Sequence, residues 1–203
     1  MQKLSAADKA LQNLGDFLAK RVGETVPKNK DVQRSPETES AVGLMRVNHT
    51  GEVAAQALYH GQAVFSREQQ TRDNLLTAAD EEQEHLDWCE QRVSELGGEV
   101  SKLGPFWYWG SYSIGLIAGI AGDRWSLGFV KETEQQVVEH LQGHLGRLPV
   151  DDERSRKIVT DMIADEARHA AAAERDGATE LPAMVKALMR LSAKFMTTVS
   201  YRI

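Results

Sequence analysis

A chain of 203 residues, 41% of them hydrophobic, can bury a core of its own as one domain, or one domain with a small appendage. Its net charge of −6 gives no support for a nucleic-acid partner, although local basic stretches could still meet a membrane. The single cysteine, Cys89, excludes an intrachain disulfide, and residues 1–20 lack the unbroken apolar core of a secretory signal, so an intracellular protein is expected.

Apolar residues recur at three-and-four spacing along nearly every long segment, and only five prolines interrupt the chain, so helices are predicted throughout. The first spans 5–22, with Leu11, Leu14, Leu18 and Val22 on one face, and a polar linker runs from Glu24 to Arg34. Residues 1–34 are therefore expected as an amphipathic helix and linker, apart from a main domain over 35–203. Ser35, Pro36 and Glu37 make a helix start, with serine as N-cap and proline at the first position; this second helix is expected to reach about residue 66. A third runs from about 73 to 96 and stops at Gly97 and Gly98. A glycine-rich apolar stretch occupies 103–122, a fifth helix 125–146, a sixth 152–175 and a last one 182–200. No Val/Ile/Thr-rich alternation marks a strand. Four helices of about 30 Å or more fit a bundle. The expected fold is all-α, a four-helix bundle with extra N-terminal, hydrophobic connecting and C-terminal helices.

Glutamates interrupt the apolar stripes. The third helix reads Leu75, Ala79, Glu82, Leu86, Cys89, Val93 and Leu96, with Glu82 where a leucine belongs. The fifth sets Glu134 among Leu127, Val130, Val137 and Leu141, while Glu132, Gln135, Glu139 and Gln142 are assigned to a solvated face. The sixth sets Glu166 between Met162 and Ala173, and in the second Glu52 shares a face with Asn48, Ala55 and Tyr59. A core carboxylate costs several kcal/mol unless paired or metal-bound, and four together repel one another. Divalent cations remove both difficulties. Glu82 and Glu166 are each followed at the third residue by a histidine on the same face, His85 and His169. The intervals match, 30 residues from Glu52 to Glu82 and 32 from Glu134 to Glu166. One lone glutamate and one Glu-x-x-His per half is the ligand pattern of ferritin-like di-iron and di-manganese carboxylate bundles. The expected metal ligands are Glu52, Glu82, His85, Glu134, Glu166 and His169.

Carboxylates with two imidazoles suit iron or manganese better than structural zinc, and six side chains for two metals leave positions open to dioxygen or water. Asp165 is a candidate acceptor for a ligand imidazole N–H, an ordinary surface acid being the equal alternative. His144 reads as a partly buried polar residue, His49 and His60 as structural or exposed, and Cys89 as a small buried one.

RVNHTGE at 46–52 resembles the RVNHAGE-type signature of the demethoxyubiquinone hydroxylases, the di-iron enzymes of ubiquinone biosynthesis. Glu82-x-x-His85-Leu86, Glu134-x5-His140 and Asp165-Glu166-x-x-His169 follow that family's order and spacing, over roughly residues 35–203. The resemblance implies that the six residues hold two iron ions and that His140 acts in substrate or redox coupling. It implies O₂ as co-substrate, a polyprenyl quinol hydroxylated on its ring to the demethylubiquinol, and NADH or the quinol itself as reductant. No G-x-G-x-x-G fingerprint marks a conventional NADH site. Leu141 stands where many relatives carry tyrosine, so a role for that tyrosine does not carry over.

A polyprenyl quinol resides in the bilayer. Leu103 to Gly122 carries no charge over 20 residues but holds five glycines, so an interfacial segment is expected over a complete span, with a buried connecting helix as the alternative. Trp107, Tyr108 and Trp109 are types that favour the headgroup zone, and the repeat Ser111, Gly115, Gly119 admits a close backbone. Over 182–203, Lys186, Arg190, Lys194 and Arg202 flank Leu188, Leu191, Phe195 and Val199, a basic amphipathic pattern suited to anionic lipid. The expectation is a peripheral protein on the cytoplasmic face of the cell membrane, its N-terminal helix free to serve the membrane or a homo-oligomer. Competing readings are an iron-storage cage, a di-iron hydroxylase of another substrate, and a non-enzymatic helical adaptor.

Overall fold

A computed structural model of the chain describes residues 35–203 together with Gly15 and Asn29. The helix expected over 5–22 and the linker over 24–34, and with them the separate unit 1–34, fall outside the described residues but for those two positions. All regular structure among the described residues is helical: α1 Pro36–Phe65, α2 Gln69–Glu95, α3 Gly104–Ile120, α4 Asp123–Leu145, α5 Glu153–Arg175 and α6 Ala183–Ser200.

Local chemistry sets most of the ends. Ser35 Oγ accepts from the Thr38 N–H at 3.2 Å and Pro36 opens α1, as the sequence predicts. Gly97 takes a φ of 73°, and Gly98 N–H returns to Val93 O at 2.8 Å, which closes α2. The one shifted boundary is the start of α2, at Gln69 instead of about 73. Its first turn is polar and gives no periodic signal; the Asp123 carboxylate anchors the chain just before it, accepting from the N–H groups of Arg67 and Glu68 at 3.0 and 2.8 Å. An anchor that arrives from a distant helix is invisible to local pattern.

Helices α1 and α2 form one hairpin and α4 and α5 the other, packed with α1 beside α4 and α2 beside α5. Two apolar layers result. One contains Leu44, Met45, Cys89, Val93, Leu141 and Met162; the other contains Leu58, Tyr59, Leu75, Ala79, Leu127 and Val130. Glu52, Glu82, Glu134 and Glu166, one on each of the four helices, lie buried between these two layers, which places a polar layer at mid-bundle.

Helix α3 lies against α1 with the backbones touching. A Cβ on Gly115 would stand 2.2 Å from Leu58 O, and one on Gly119 2.8 Å from Gln62 O, so the predicted small-residue repeat is used here, against α1. Its outer face leaves Phe106, Trp109, Ile114, Ile117 and Ile120 exposed. Of Trp107, Tyr108 and Trp109 only Trp109 is on that face; Trp107 and Tyr108 are buried, and Tyr108 stacks on Tyr112. A helix turns about 100° per residue, so three neighbours cannot share one face. No described helix is long and apolar enough to cross a membrane.

Helix α6 crosses the bundle with only Ser200 fully buried. Val185, Met189, Ala193 and Met196 turn inward, while Met184, Leu188, Leu191 and Phe195 are 59–73% exposed.

Gly115→Ala is expected to force α3 off α1 and to lower stability by about 1–3 kcal/mol, read as a drop in Tm. Gly110→Ala, on the same helix with nothing within 4 Å of its added Cβ, should leave Tm unchanged or raise it.

Candidate metal centre

The polar layer gathers all six residues that the sequence singles out as ligands. Helix α1 contributes Glu52, α2 Glu82 and His85, α4 Glu134, and α5 Glu166 and His169; none is more than 9% exposed. Each Glu-x-x-His pair projects from one helical turn. Donor atoms fall into two sets, each within 4.8 Å: Glu52, Glu82, His85 and Glu166 in one, and Glu82, Glu134, Glu166 and His169 in the other. Glu82 and Glu166 belong to both. The imidazoles point Nδ1 into the layer, His85 3.2 Å from Glu82 Oε2 and from Glu166 Oε1, His169 3.2 Å from Glu166 Oε2.

Electrostatics describe a site built for cations. Burial, with Glu82 and Glu166 beside it, pushes Glu52 well above the ordinary carboxylate range; burial, with Glu166, does the same to Glu134. Burial also opposes charge on Glu82, but hydrogen bonds from His169 and His85 prevail and hold it at about 2. Both imidazoles are raised to about 11, since contacts to Glu166 and Glu82 outweigh the desolvation that opposes their charge. Left to themselves, the six side chains balance charge by gathering protons. Both oxygens of Glu134 are buried without a hydrogen-bond partner, an expensive arrangement for an acid whose role is structural. Two divalent cations would balance four carboxylates and release those protons. The layer could hold metal ions, and its oxygen and nitrogen donors without thiolate suit iron or manganese. Cys89 takes no part; it is fully buried, with Met162 Sδ 3.8 Å from its Sγ.

Outside the layer, the His85 Nε2–H donates to Asp165 Oδ2 at 3.1 Å, the role the sequence suggests for Asp165. His169 has a matching acceptor, Glu81 Oε2 at 2.6 Å. Sequence reasoning missed Glu81, although it precedes Glu82 as Asp165 precedes Glu166.

An apolar cavity of 740 Å³ lies between α1, α3, α4 and α6, and its wall includes Glu52 and His140. Val47, Leu58, Ile114, Phe129, Val137 and Leu188 make much of the rest. The His140 Nε2 is buried with no hydrogen-bond partner, and burial together with Arg147 keeps the ring neutral. His144 is buried as expected, its Nδ1–H donating to Asn48 Oδ1 at 2.7 Å. His49 is buried and His60 lies 3.5 Å from the Tyr108 hydroxyl; neither belongs to the layer.

One assignment is overturned. The sequence puts Glu132 on a solvated face with Gln135, Glu139 and Gln142, and those three are exposed, but Glu132 is 3% exposed. Its Oε2 lies 3.0 Å from Lys186 Nζ and its Oε1 accepts from Gln136 Nε2 at 2.7 Å. Helix α6 crosses α4 there, and the periodicity of α4 alone carries no sign of it.

Residues 39–200 match the family model described as ubiquinone biosynthesis protein COQ7. A protein of Dechloromonas aromatica named 3-demethoxyubiquinol 3-hydroxylase is 61% identical over 160 residues, 79% of this chain and 77% of that one. Proteins of the same name from Nitrosococcus oceani and Francisella philomiragia are 48% identical over 98% of both chains and 46% identical over the whole of both.

Loading chelator-stripped protein anaerobically with Mn(II) in weak buffer near pH 7 is expected to release about four protons per chain, from Glu52, Glu134, His85 and His169. Metal affinity should fall as pH is lowered, because protons compete for those groups. Uptake without proton release would contradict this account of the layer.

Proposed function

The chain belongs to the COQ7 family of ubiquinone biosynthesis proteins, and on that premise we propose that it is a di-iron monooxygenase that hydroxylates the ring of a polyprenylated demethoxyubiquinol. The observation that carries this reading is the four-carboxylate, two-imidazole layer beside an apolar cavity whose wall includes one of those carboxylates. Glu82 and Glu166 would be shared by both ions, with Glu52 and His85 completing one set and Glu134 and His169 the other. When bound, the iron pair supplies reduction of O₂, with one oxygen atom entering the ring and the other leaving as water; NADH is the proposed source of the two electrons.

The protein's own residues do the rest. Apolar layers above and below the carboxylates keep bulk water from them, which strengthens every charge interaction inside. The cavity wall of valine, leucine, isoleucine and phenylalanine suits a polyprenyl tail and gives the quinol ring a route to Glu52. His140 is the group we assign to the ring hydroxyl: its unpartnered Nε2 is neutral and can accept or return a proton there.

Access from a bilayer is the second part of the proposal. Phe106, Trp109, Ile114, Ile117 and Ile120 on α3, and Met184, Leu188, Leu191 and Phe195 on α6, are exposed apolar side chains on the two helices that carry Ile114 and Leu188 into the cavity wall. Arg190 and Lys194 are exposed on α6 and Arg202 just beyond its end, the composition that rests on anionic lipid. Lys186 is not available for that role, being tied to Glu132 and Glu180, and Arg190 is partly engaged, its Nη2 3.5 Å from Glu132 Oε1. The proposed location is therefore the cytoplasmic face of the cell membrane, peripherally.

Iron-loaded protein given a demethoxyubiquinol, a reductant and ¹⁸O₂ should yield a ring hydroxyl carrying ¹⁸O, with none taken from H₂¹⁸O. Glu166→Ala should lose both iron and product, whereas His140→Ala should keep its iron and lose about 10²-fold in kcat. Product from Glu166→Ala, or label from water, would refute the assignment. In a separate test, detergent-free protein should sediment with anionic vesicles, and Leu191→Glu with Phe195→Glu should return it to the supernatant; wild-type protein left in the supernatant would remove the membrane proposal.

A further inference from the structure

The two imidazoles are held from outside in a crossed fashion. His85 stands on α2, yet its Nε2–H donates to Asp165 of α5; His169 stands on α5, yet its Nε2–H donates to Glu81 of α2. Arg168 joins the two acceptors, with Nη2 2.8 Å from Asp165 Oδ1 and both Nη atoms 3.3 Å from Glu81 Oε2. Asp165 thus serves its imidazole with one oxygen and Arg168 with the other, while a single oxygen of Glu81 takes both loads. The counterpart of Arg168 in the other half is the exposed Glu84, so one cation serves both sides of an otherwise duplicated arrangement.

A surface ion pair of this kind is worth little on its own. Here its inner ends are imidazoles 2% and 9% exposed, and each Nε2 has its carboxylate as sole acceptor among the described residues. An Nε2–H donated to a carboxylate fixes the tautomer, leaves the Nδ1 lone pair facing inward and raises its basicity. Arg168 offsets the charge that two further carboxylates add behind a layer already holding four.

We propose that Glu81, Asp165 and Arg168 form a crossed positioning clamp, in which Asp165 of α5 governs the metal position served by His85 and Glu81 of α2 governs the one served by His169. The proposal rests on the two-metal reading above. It makes the two positions separately adjustable, each from the opposite helix hairpin.

Cobalt(II)-substituted protein tests it by proton NMR. A metal-bound imidazole shows a strongly shifted N–H signal that disappears in D₂O, so the wild type should show two. Asp165→Leu should abolish or broaden one and Glu81→Leu the other, each leaving one tight site and weakening the second about 10–100-fold in a cobalt titration. Asp165→Asn and Glu81→Gln keep an acceptor oxygen and should restore both signals; Arg168→Met should broaden both. Loss of the same signal in both leucine variants, loss of both in each, or no change in either would overturn the clamp while leaving the metal site standing. A wild type with no shifted N–H signals would remove the metal site itself, and the clamp with it.

Discussion

Four carboxylates in one buried layer cannot all be charged without cations among them, and the rest of the molecule is arranged around that constraint. Glu52, Glu82, Glu134 and Glu166 replace core leucines on four different helices, at a cost of several kcal/mol each if unpaired. The bundle accepts the cost because the layer is supported on both sides. Leu44, Met45, Val93 and Met162 close it on one side, Leu58, Tyr59, Leu75 and Val130 on the other. His85 and His169 share its charge, and Glu81 and Asp165 hold those imidazoles from outside. Glu82 and Glu166 face each other from separate hairpins and belong to both donor sets, so a bound pair of ions would fasten the two hairpins at mid-length.

The same layer explains the asymmetry of the surrounding structure. On the α2–α5 side the site is closed by the Arg168 network. On the α1–α4 side there is no such closure; α3 and α6 bridge the gap and leave the 740 Å³ cavity. Helix α3 can approach α1 because Gly61, Gly115 and Gly119 remove the side chains between the backbones. Helix α6 is held at one end by buried Glu132 and near the other by Arg46, whose Nη1 donates to Tyr201 O at 3.0 Å. A wall fixed at both ends, with apolar side chains on its inner and outer faces, is what the proposed passage of a hydrophobic substrate from a lipid surface to Glu52 and His140 would require.

Much of this was legible in the residues. A glutamate in a leucine stripe is a strong signal because burial gives the helix no other reason for it, and the repeated Glu-x-x-His made the two halves recognisable. What escaped was whatever a second element decides. Glu132 looks solvated within its own helix and is buried by α6; the first turn of α2 has no apolar rhythm and its entry is anchored by Asp123. Trp107 and Tyr108 have the composition of a headgroup belt but the angular position of core residues. Glu81 was the nearest miss, since its place before Glu82 mirrors Asp165, and only the crossing of α2 and α5 gives it an imidazole to hold.

Anomalous diffraction at the iron edge from crystals loaded with Fe(II) under anaerobic conditions addresses the constraint most directly. Two peaks per chain are predicted, both in reach of Glu82 and Glu166, one also touching Glu52 and His85 and the other Glu134 and His169. A single peak, no peak, or peaks away from the carboxylate layer would mean that protons balance some or all of these acids, and the account of the layer as a dinuclear centre would fall.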